Sequence, residues 1–329
     1  MFFSIIVPVY NRKEELEELI QSLSTQESGD FEIIVVEDGS SERCDDVVAE
    51  YAASLDIKYF FKSNSGPGLT RNFGAERSRG DYLIFLDSDC IVPPRYLEAL
   101  EEELNNRDCD AFGGADRADD SFTDTQKAIN YSMTSFFTTG GIRGKSKSID
   151  KFYPRSFNMG IKRSVFNALG GFSNMRFGED VDLSYRIIEN GYSSRLFPSA
   201  WVYHKRRTNF KQFFKQVFNS GVARVVLTKK HPNTLKLVHL LPSLFTLACL
   251  FVLFASCLYW QSAMLLSPFV ILIFLDALLR TKSVVVSLLS IASSFVQLLG
   301  YGSGLIIGWW KIQVCKQQGY TPFIKKFYD

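Results

Sequence analysis

The chain has 329 residues, enough to bury a sizeable core in one large domain or two. Its net charge of +2 identifies no partner as a total. Six cysteines (Cys44, Cys90, Cys109, Cys249, Cys257, Cys315) show no CxxC spacing and no evident pairing. That argues against a disulfide scaffold and fits reduced, cytosolic or membrane-buried thiols.

The first two hundred residues alternate strand and helix signals, as a parallel α/β sheet requires. Phe2–Val9 reads as a strand stopped by proline, and because its apolar run ends at Pro8 with no basic region before it, no signal peptide is expected. Arg12–Ser24 carries Leu16, Leu19, Ile20 and Leu23 at helical spacing, with glutamates outward. Phe31–Val36 suits a strand buried on both faces. Ile57–Phe61 and Tyr82–Leu86 are further strands, with a helix over Leu69–Arg77 between them. A short strand near Ala111–Gly113 follows, then helices near Arg163–Leu169 and from about Val181 to Asn190, the last capped by Gly191.

Ligands of open α/β sheets collect outside the carboxyl ends of strands. Polar clusters stand at those ends: Tyr10-Asn11, then Glu37-Asp38-Gly39-Ser40, then Asp87-Ser88-Asp89. In an extended chain Asp87 and Asp89 point to one face, where two like charges need a cation between them. A hard divalent ion, Mg²⁺ or Mn²⁺, answers that need; a helix N-cap at Asp89 is the other reading. "NSGPGLTR" (64–71) allows close backbone approach ahead of a helix N-terminus, which suits phosphate, although it matches neither standard phosphate-loop pattern. "FGEDVDLSYRIIENGY" places Glu179 and Asp180 just ahead of a helix. They are either first-turn acids favoured by the helix dipole or a presented general base. His204, close in sequence to Arg206 and Arg207, is a further candidate for the metal site.

Between Asn190 and Leu275 there is no Asp or Glu, while ten Lys and Arg residues fall between Arg195 and Lys236. That asymmetry fits a polyanion or an anionic membrane surface. Phe210, Phe213, Phe214, Val217 and Phe218 share one face of a basic helix, read as interfacial or as plain core. Three apolar runs follow: Leu237–Trp260, Ala263–Leu279 with Asp276 near its end, and Val284–Trp310. About 20 apolar residues cross a bilayer, so two or three spans are expected. Lys229, Lys230, Lys236, Arg280 and Lys282 favour the cytoplasmic side for the N-terminal part. Glycines at 300, 302, 304 and 308 offer the third segment a bend or re-entry, and its topology stays open.

The ordered set "SIIVPVYNR", "VVEDGSSE", "GPGLTRNFGAERSRGDYLIFLDSDC", "FNMGIKRSVFNALGGF", "FGEDVDLSYRIIENGY" and "YHKRRTNFKQFFKQ" resembles family 2 glycosyltransferases over roughly residues 3 to 225. The resemblance implies a GT-A fold (a Rossmann-like mixed sheet) followed by transmembrane helices, a nucleotide-sugar donor, a divalent metal and inversion at the anomeric carbon. It puts Pro8, Tyr10, Glu37 and Asp38 around the nucleoside, with Glu37 in place of the commoner aspartate. Arg71 and Asp87 lie near the nucleotide sugar, and Arg207 and Gln216 belong to the region closing over the diphosphate. Asp87, Asp89 and His204 match the metal site, with Asp89 the direct ligand. Asp180 matches the catalytic base, with Glu179 beside it.

The implied domains are a catalytic part over 1–207, an interfacial helix region over 208–235, a transmembrane region over 236–310 and a basic tail over 311–329. The implied partners are a nucleotide sugar, a lipid-linked or membrane-proximal glycan acceptor and membrane lipid, with no nucleic acid. The implied location is the inner membrane, with the catalytic part cytoplasmic. "TTGGIRGKSKSID" (138–150) is a candidate loop over the acceptor. The processive pattern QxxRW is absent, which argues against a long-chain synthase. A polyprenyl-phosphate sugar synthase is the alternative transferase. A nucleotidyltransferase would need a glycine-rich basic loop after the first strand, and "VPVYNR" is not one. A non-catalytic partner in polymer export would have no need of intact Asp87, Asp89 and Asp180.

Overall fold

Strand β1 (Phe2–Val9) turns Ile5 to one face of a sheet and Ile6 to the other, and both are fully buried. In the computed structural model, which describes residues 1–27, 30–117, 122–140, 152–317, 320 and 322, this pattern organises a mixed sheet with helices on both faces. In chain order come α1 (Lys13–Ser24), β2 (Asp30–Asp38), α2 (Asp45–Tyr51), β3 (Ile57–Lys62), α3 (Pro67–Glu76), β4 (Tyr82–Leu86), β5 (Cys90–Ile91), α4 (Tyr96–Asn106) and β6 (Ala111–Arg117). Then follow α5 (Asp124–Thr134), α6 (Phe136–Thr139), β7 (Asn158–Lys162), α7 (Arg163–Ala168), α8 (Glu179–Glu189) and β8 (Ser194–His204).

The strand order is β3-β2-β1-β4-β7-β6-β8-β5. The first four strands are parallel, β7 runs antiparallel to β4 and β6, and β8 pairs parallel with β6. One core packs Ile5, Val7, Ile33 and Val35 against Leu16, Leu19 and Ile20 of α1, Val47 of α2 and Leu97 and Leu100 of α4. The opposite core packs Ile6, Ile34, Leu83 and Phe85 against Ala75 of α3, Phe166 of α7 and Leu183 and Ile187 of α8. A fully buried Ile, Leu or Phe contributes about 1.5–3 kcal/mol, so these two layers hold the strand ends in fixed places. Pro8 lies beyond the last β1–β4 pair, Ile6 with Phe85, where its missing N–H costs that ladder nothing.

After β1 the chain moves to β2 on one side, and after β3 it returns to β4 on the other. The crevice between the carboxyl ends of β1 and β4 is therefore the topological switch point, where open α/β sheets bind ligands.

Residues 1–117 and 152–205 form one unit, and 122–140 with 206–317 belong to a second. The second unit comprises α5, α6, α9 (Phe210–Lys230), α10 (Leu241–Leu258), α11 (Ser267–Thr281) and α12 (Val284–Trp309). Three helical stretches, Leu237–Leu258, Trp260–Thr281 and Val284–Val314, are long and apolar enough to cross a membrane.

The glycines of the third stretch do not bend it: α12 runs unbroken from Val284 to Trp309. They serve close packing instead. A Cβ on Gly304 would lie 2.1 Å from the Phe218 carbonyl oxygen of α9, and one on Gly302 would lie 2.3 Å from the Pro242 carbonyl oxygen of α10. Asp276, the one acid in these runs, accepts from the Tyr131 hydroxyl (2.7 Å) and the Ser135 hydroxyl (3.3 Å) and pairs with Arg280 (3.0 Å). Helix α5, inserted in sequence between two sheet strands, thus supplies a polar partner to an apolar helix. The candidate acceptor loop lies outside the described residues from 141 onward, as do Lys325 and Lys326 of the basic tail.

Candidate active site

The Asp-x-Asp segment is not extended. The Cys90 N–H donates to the Asp87 carbonyl (3.0 Å), closing a turn that gives the two carboxylates separate partners. Asp87 accepts from Arg71 Nη2 at 2.6 Å, while Asp89 pairs with Arg12 and lies 3.3 Å from His204 Nε2. Two guanidinium groups thus supply the positive charge that a self-repelling pair requires. The two-residue strand β5 makes the Asp89–His204 approach possible: Cys90 pairs with His204 of β8, and the Lys205 N–H donates to the Asp89 carbonyl (3.1 Å). The His204 ring stacks on Phe157 with centroids 4.8 Å apart, which fixes its plane.

Asp89, Cys90 and His204 hold their ligand atoms within 4.8 Å of one another. Burial, followed by the charges of Asp89 and Asp87, pushes the Cys90 thiol well up, and its Sγ faces the Phe157 carbonyl at 3.4 Å. A protonated thiol is a poor ligand for a hard cation, whereas a carboxylate suits Mn²⁺ or Mg²⁺, and an imidazole beside it favours Mn²⁺ over the harder Mg²⁺. The donor set fits a divalent ion on Asp89 and His204.

Arg71 connects this group to the acids of α8. Its Nη1 reaches Glu179 Oε1 at 3.0 Å, and its guanidinium lies 5.4 Å from the Phe172 ring centre. Asn72 sets that ring by accepting from the Phe172 N–H and donating to the Phe172 carbonyl, both at 2.8 Å. The sequence placed Glu179 and Asp180 ahead of the helix, but α8 begins at Glu179 itself. Gly178 caps it at φ 80°, a left-handed conformation that glycine adopts without strain. Asp182 instead accepts from Arg186 Nε (2.9 Å), while Nη1 and Nη2 of that arginine donate to the Leu169 and Gly171 carbonyls. That acid secures the preceding turn.

Asp180 accepts from Arg155 Nε (2.7 Å) and from the Val181 N–H (2.8 Å). Burial, with the adjacent Asp180 charge, pushes the Glu179 carboxyl up to about 7 against the pull of Arg71. Burial also acts to raise Asp180, but Arg155, the Val181 N–H and Arg71 outweigh it and hold that carboxyl below the ordinary aspartate range. Neighbouring carboxyls driven apart in this way are the usual sign of divided acid–base duties. The shift also has a stability consequence. The folded chain keeps a Glu179 proton that the unfolded chain releases above the ordinary value of 4.5, so this group lowers stability as pH rises from 4.5 to about 7. Glu179→Gln removes that contribution, and its melting temperature should fall less across the window than the wild type's, as read by thermal unfolding in detergent.

At the end of β2 both acids are engaged. Glu37 accepts from the Cys44 N–H (3.0 Å) and the Tyr59 hydroxyl. Asp38 takes the N–H groups of Ser65 and Gly66, each at 2.9 Å, and pairs with Lys62. It thereby secures the loop leading into α3, using N–H groups that the sequence offered to a phosphate. Gly39, at φ 79°, has no room for a side chain, since a Cβ would lie 2.8 Å from the Asn64 nitrogen. Pro8 and Tyr10 are half-buried at the end of β1. Arg207 and Gln216 belong to the second unit and keep only the assignment the resemblance gave them. Arg12 and Arg155 were not foreseen. Arg12 stood within "VPVYNR" but read as the start of α1, and Arg155 carries no local signal.

The sequence profile of glycosyl transferase family 2 matches residues 4–170, half of the chain. The chain belongs to glycosyl transferase family 2. A relative from Haemophilus influenzae named as an uncharacterized glycosyltransferase is 32% identical over 195 residues, covering 56% of this chain and 62% of the relative. Chondroitin synthase of Escherichia coli is 27% identical over 263 residues, covering 70% of this chain and 38% of that protein. This family 2 chain therefore spans less than two thirds of either relative. Among solved structures, a mannosyltransferase of Pyrobaculum calidifontis in complex with GDP-Man and Mn²⁺ superposes with a TM-score of 0.63 at 17% identity, over 89% of this chain and 86% of that one. TarS of S. aureus, residues 1–349 in complex with UDP-GlcNAc, gives 0.51 at 17% identity over 99% and 95%. At such identities these two likenesses establish the fold, a GT-A-type mixed sheet.

Proposed function

We propose that this chain is an inverting, divalent-metal-dependent glycosyltransferase that takes a sugar from a nucleoside-diphosphate donor and delivers it to a hydroxyl of a membrane-associated acceptor. The observation that carries the reading is the continuous set Asp89–His204, Asp87–Arg71–Glu179 and Asp180 at the carboxyl ends of the sheet. The donors held by the two structural neighbours support a nucleotide sugar.

In this reading Pro8, Tyr10, Glu37 and Asp38 frame the nucleoside, and Arg71 and Asp87 face the diphosphate sugar. Asp89 and His204, with Asp87 nearby, would hold a divalent cation, whose chemistry there would be to supply positive charge for the departing diphosphate. Asp180 takes the proton of the acceptor hydroxyl as its oxygen bonds to the anomeric carbon. The bond from that carbon to the diphosphate breaks on the opposite face, and Arg71 helps to hold the charge that develops. The three apolar helices anchor the transferase to the inner membrane with its catalytic part cytoplasmic. The basic, acid-free stretch then faces lipid phosphates and a lipid-linked acceptor.

A screen of nucleotide sugars with membranes carrying the full chain, reading released nucleoside diphosphate with and without Mn²⁺, tests the reading. Cation-dependent release from one donor is the expected result. Absence of release from every donor would remove it.

A further inference from the structure

Three consecutive residues before β7 are fastened to α8. The Tyr153 ring meets the Tyr185 ring edge-on at 5.3 Å, the Pro154 carbonyl accepts from the Ser184 hydroxyl at 2.6 Å, and Arg155 Nε donates to Asp180 Oδ2 at 2.7 Å. These fastenings fix the backbone but leave two side chains open to solvent: Tyr153 is 41% exposed and the Arg155 side chain 42%. A half-exposed aromatic ring and a half-exposed guanidinium are therefore presented two residues apart, the guanidinium on the buried Asp180 carboxylate.

Both Asp180 oxygens are already accepting. Oδ1 takes the Val181 N–H, which belongs to the helix backbone and cannot leave, and Oδ2 takes Arg155. Each carboxylate oxygen has a second lone pair, so an acceptor hydroxyl can approach Asp180 with Arg155 still in place. Arg155 meets Asp180 through Nε, and its 42% exposed side chain can offer the Nη groups of the fork to a second anion. An acceptor carrying an anion beside its reactive hydroxyl gains that charge-assisted contact, and a neutral one does not. The apolar face of a sugar ring suits the exposed Tyr153 ring.

We propose that Tyr153 and Arg155 form the acceptor subsite and that Arg155 selects an acceptor bearing a carboxylate or phosphate next to the hydroxyl that receives the sugar. The inference rests on Asp180 being the base of the proposed transferase. Arg155 is then a specificity-determining residue that bridges Asp180 and the anion of the acceptor, setting the reactive hydroxyl beside the base. The charged groups facing Asp180 are Arg155, Arg71 and Glu179, and of these only Arg155 has an exposed side chain.

The test uses the full chain in detergent and three soluble probes: methyl β-glucoside, methyl β-glucuronide and methyl β-glucoside 6-phosphate. Binding is read by saturation-transfer NMR, which needs no donor. The wild type should bind at least one anionic probe about ten- to a hundredfold more tightly than the neutral one, as a charge-assisted contact allows, and the preferred anion identifies carboxylate or phosphate as the source. Arg155→Gln should lose that preference, and Arg155→Lys should keep part of it. Where a donor turns over in water, the acid limb of the Arg155→Gln rate profile should move to higher pH, because Asp180 loses its counter-charge. Equal binding of neutral and anionic probes by the wild type, or an undiminished preference in Arg155→Gln, overturns the proposal. Lack of donor turnover would instead count against the transferase reading and leave the binding result standing.

Discussion

Asp180→Asn is expected to lower sugar transfer by about 10²–10⁴-fold, the usual worth of general-base assistance, while donor binding stays at the wild-type level. The amide keeps the volume and accepts the Val181 N–H as the carboxylate does, so the start of α8 is preserved. What it loses is the ability to take a proton, together with the charged partner of Arg155 Nε. The rate constant of a single turnover should fall while the concentration of donor at half-saturation holds. Glu179 cannot substitute, because its carboxyl is tied to Arg71. Near-normal turnover in Asp180→Asn would assign the base elsewhere.

Replacing Arg71 should do its damage through stability. Arg71 is 3% exposed and is shared by Asp87 and Glu179. Arg71→Leu keeps the bulk against Phe172 but leaves two carboxyls without their cation. Breaking a buried pair by deleting one partner costs about 3–5 kcal/mol. Glu179 can relieve part of that cost by taking a proton, so the loss should be smaller at pH 5.5 than at pH 8. Arg71→Lys, with one ammonium where a fork spanned two acceptors, should fall between the leucine variant and the wild type. Chemical denaturation at both pH values measures this. An unchanged unfolding midpoint would mean that the bridge contributes nothing.

Much of the sheet was legible because its central strands are uninterrupted apolar runs. Phe31–Val36 and Tyr82–Leu86 could hardly be anything but strands buried on both faces, and the polar clusters after them marked the site. Strand β8 was not read, since Pro198 and the basic end of "SRLFPSAWVYHKRR" disguise it, and so the pairing of Cys90 with His204 could not be foreseen. Glu179 and Asp180 were found by motif, but their opposite electrostatic fates depend on Arg71 and Arg155, which are 108 and 25 residues away in sequence. The turn at Asp87–Cys90 shows the same limit. Alternation predicts a shared face, yet one backbone hydrogen bond redirects each acid to its own arginine. Helix α5 lay beyond local reading altogether, because the partner of its Tyr131, Asp276, is 145 residues further on.

If Asp89 and His204 hold the cation of a nucleotide-sugar transferase, a Mn²⁺ titration of donor turnover must separate the wild type from Asp89→Asn. The wild type should show a saturable rise in nucleoside-diphosphate release. In Asp89→Asn that rise should need at least about tenfold more Mn²⁺ or vanish, as the loss of a direct ligand requires. Turnover that ignores the metal, or superimposable titrations for the two proteins, would contradict the account.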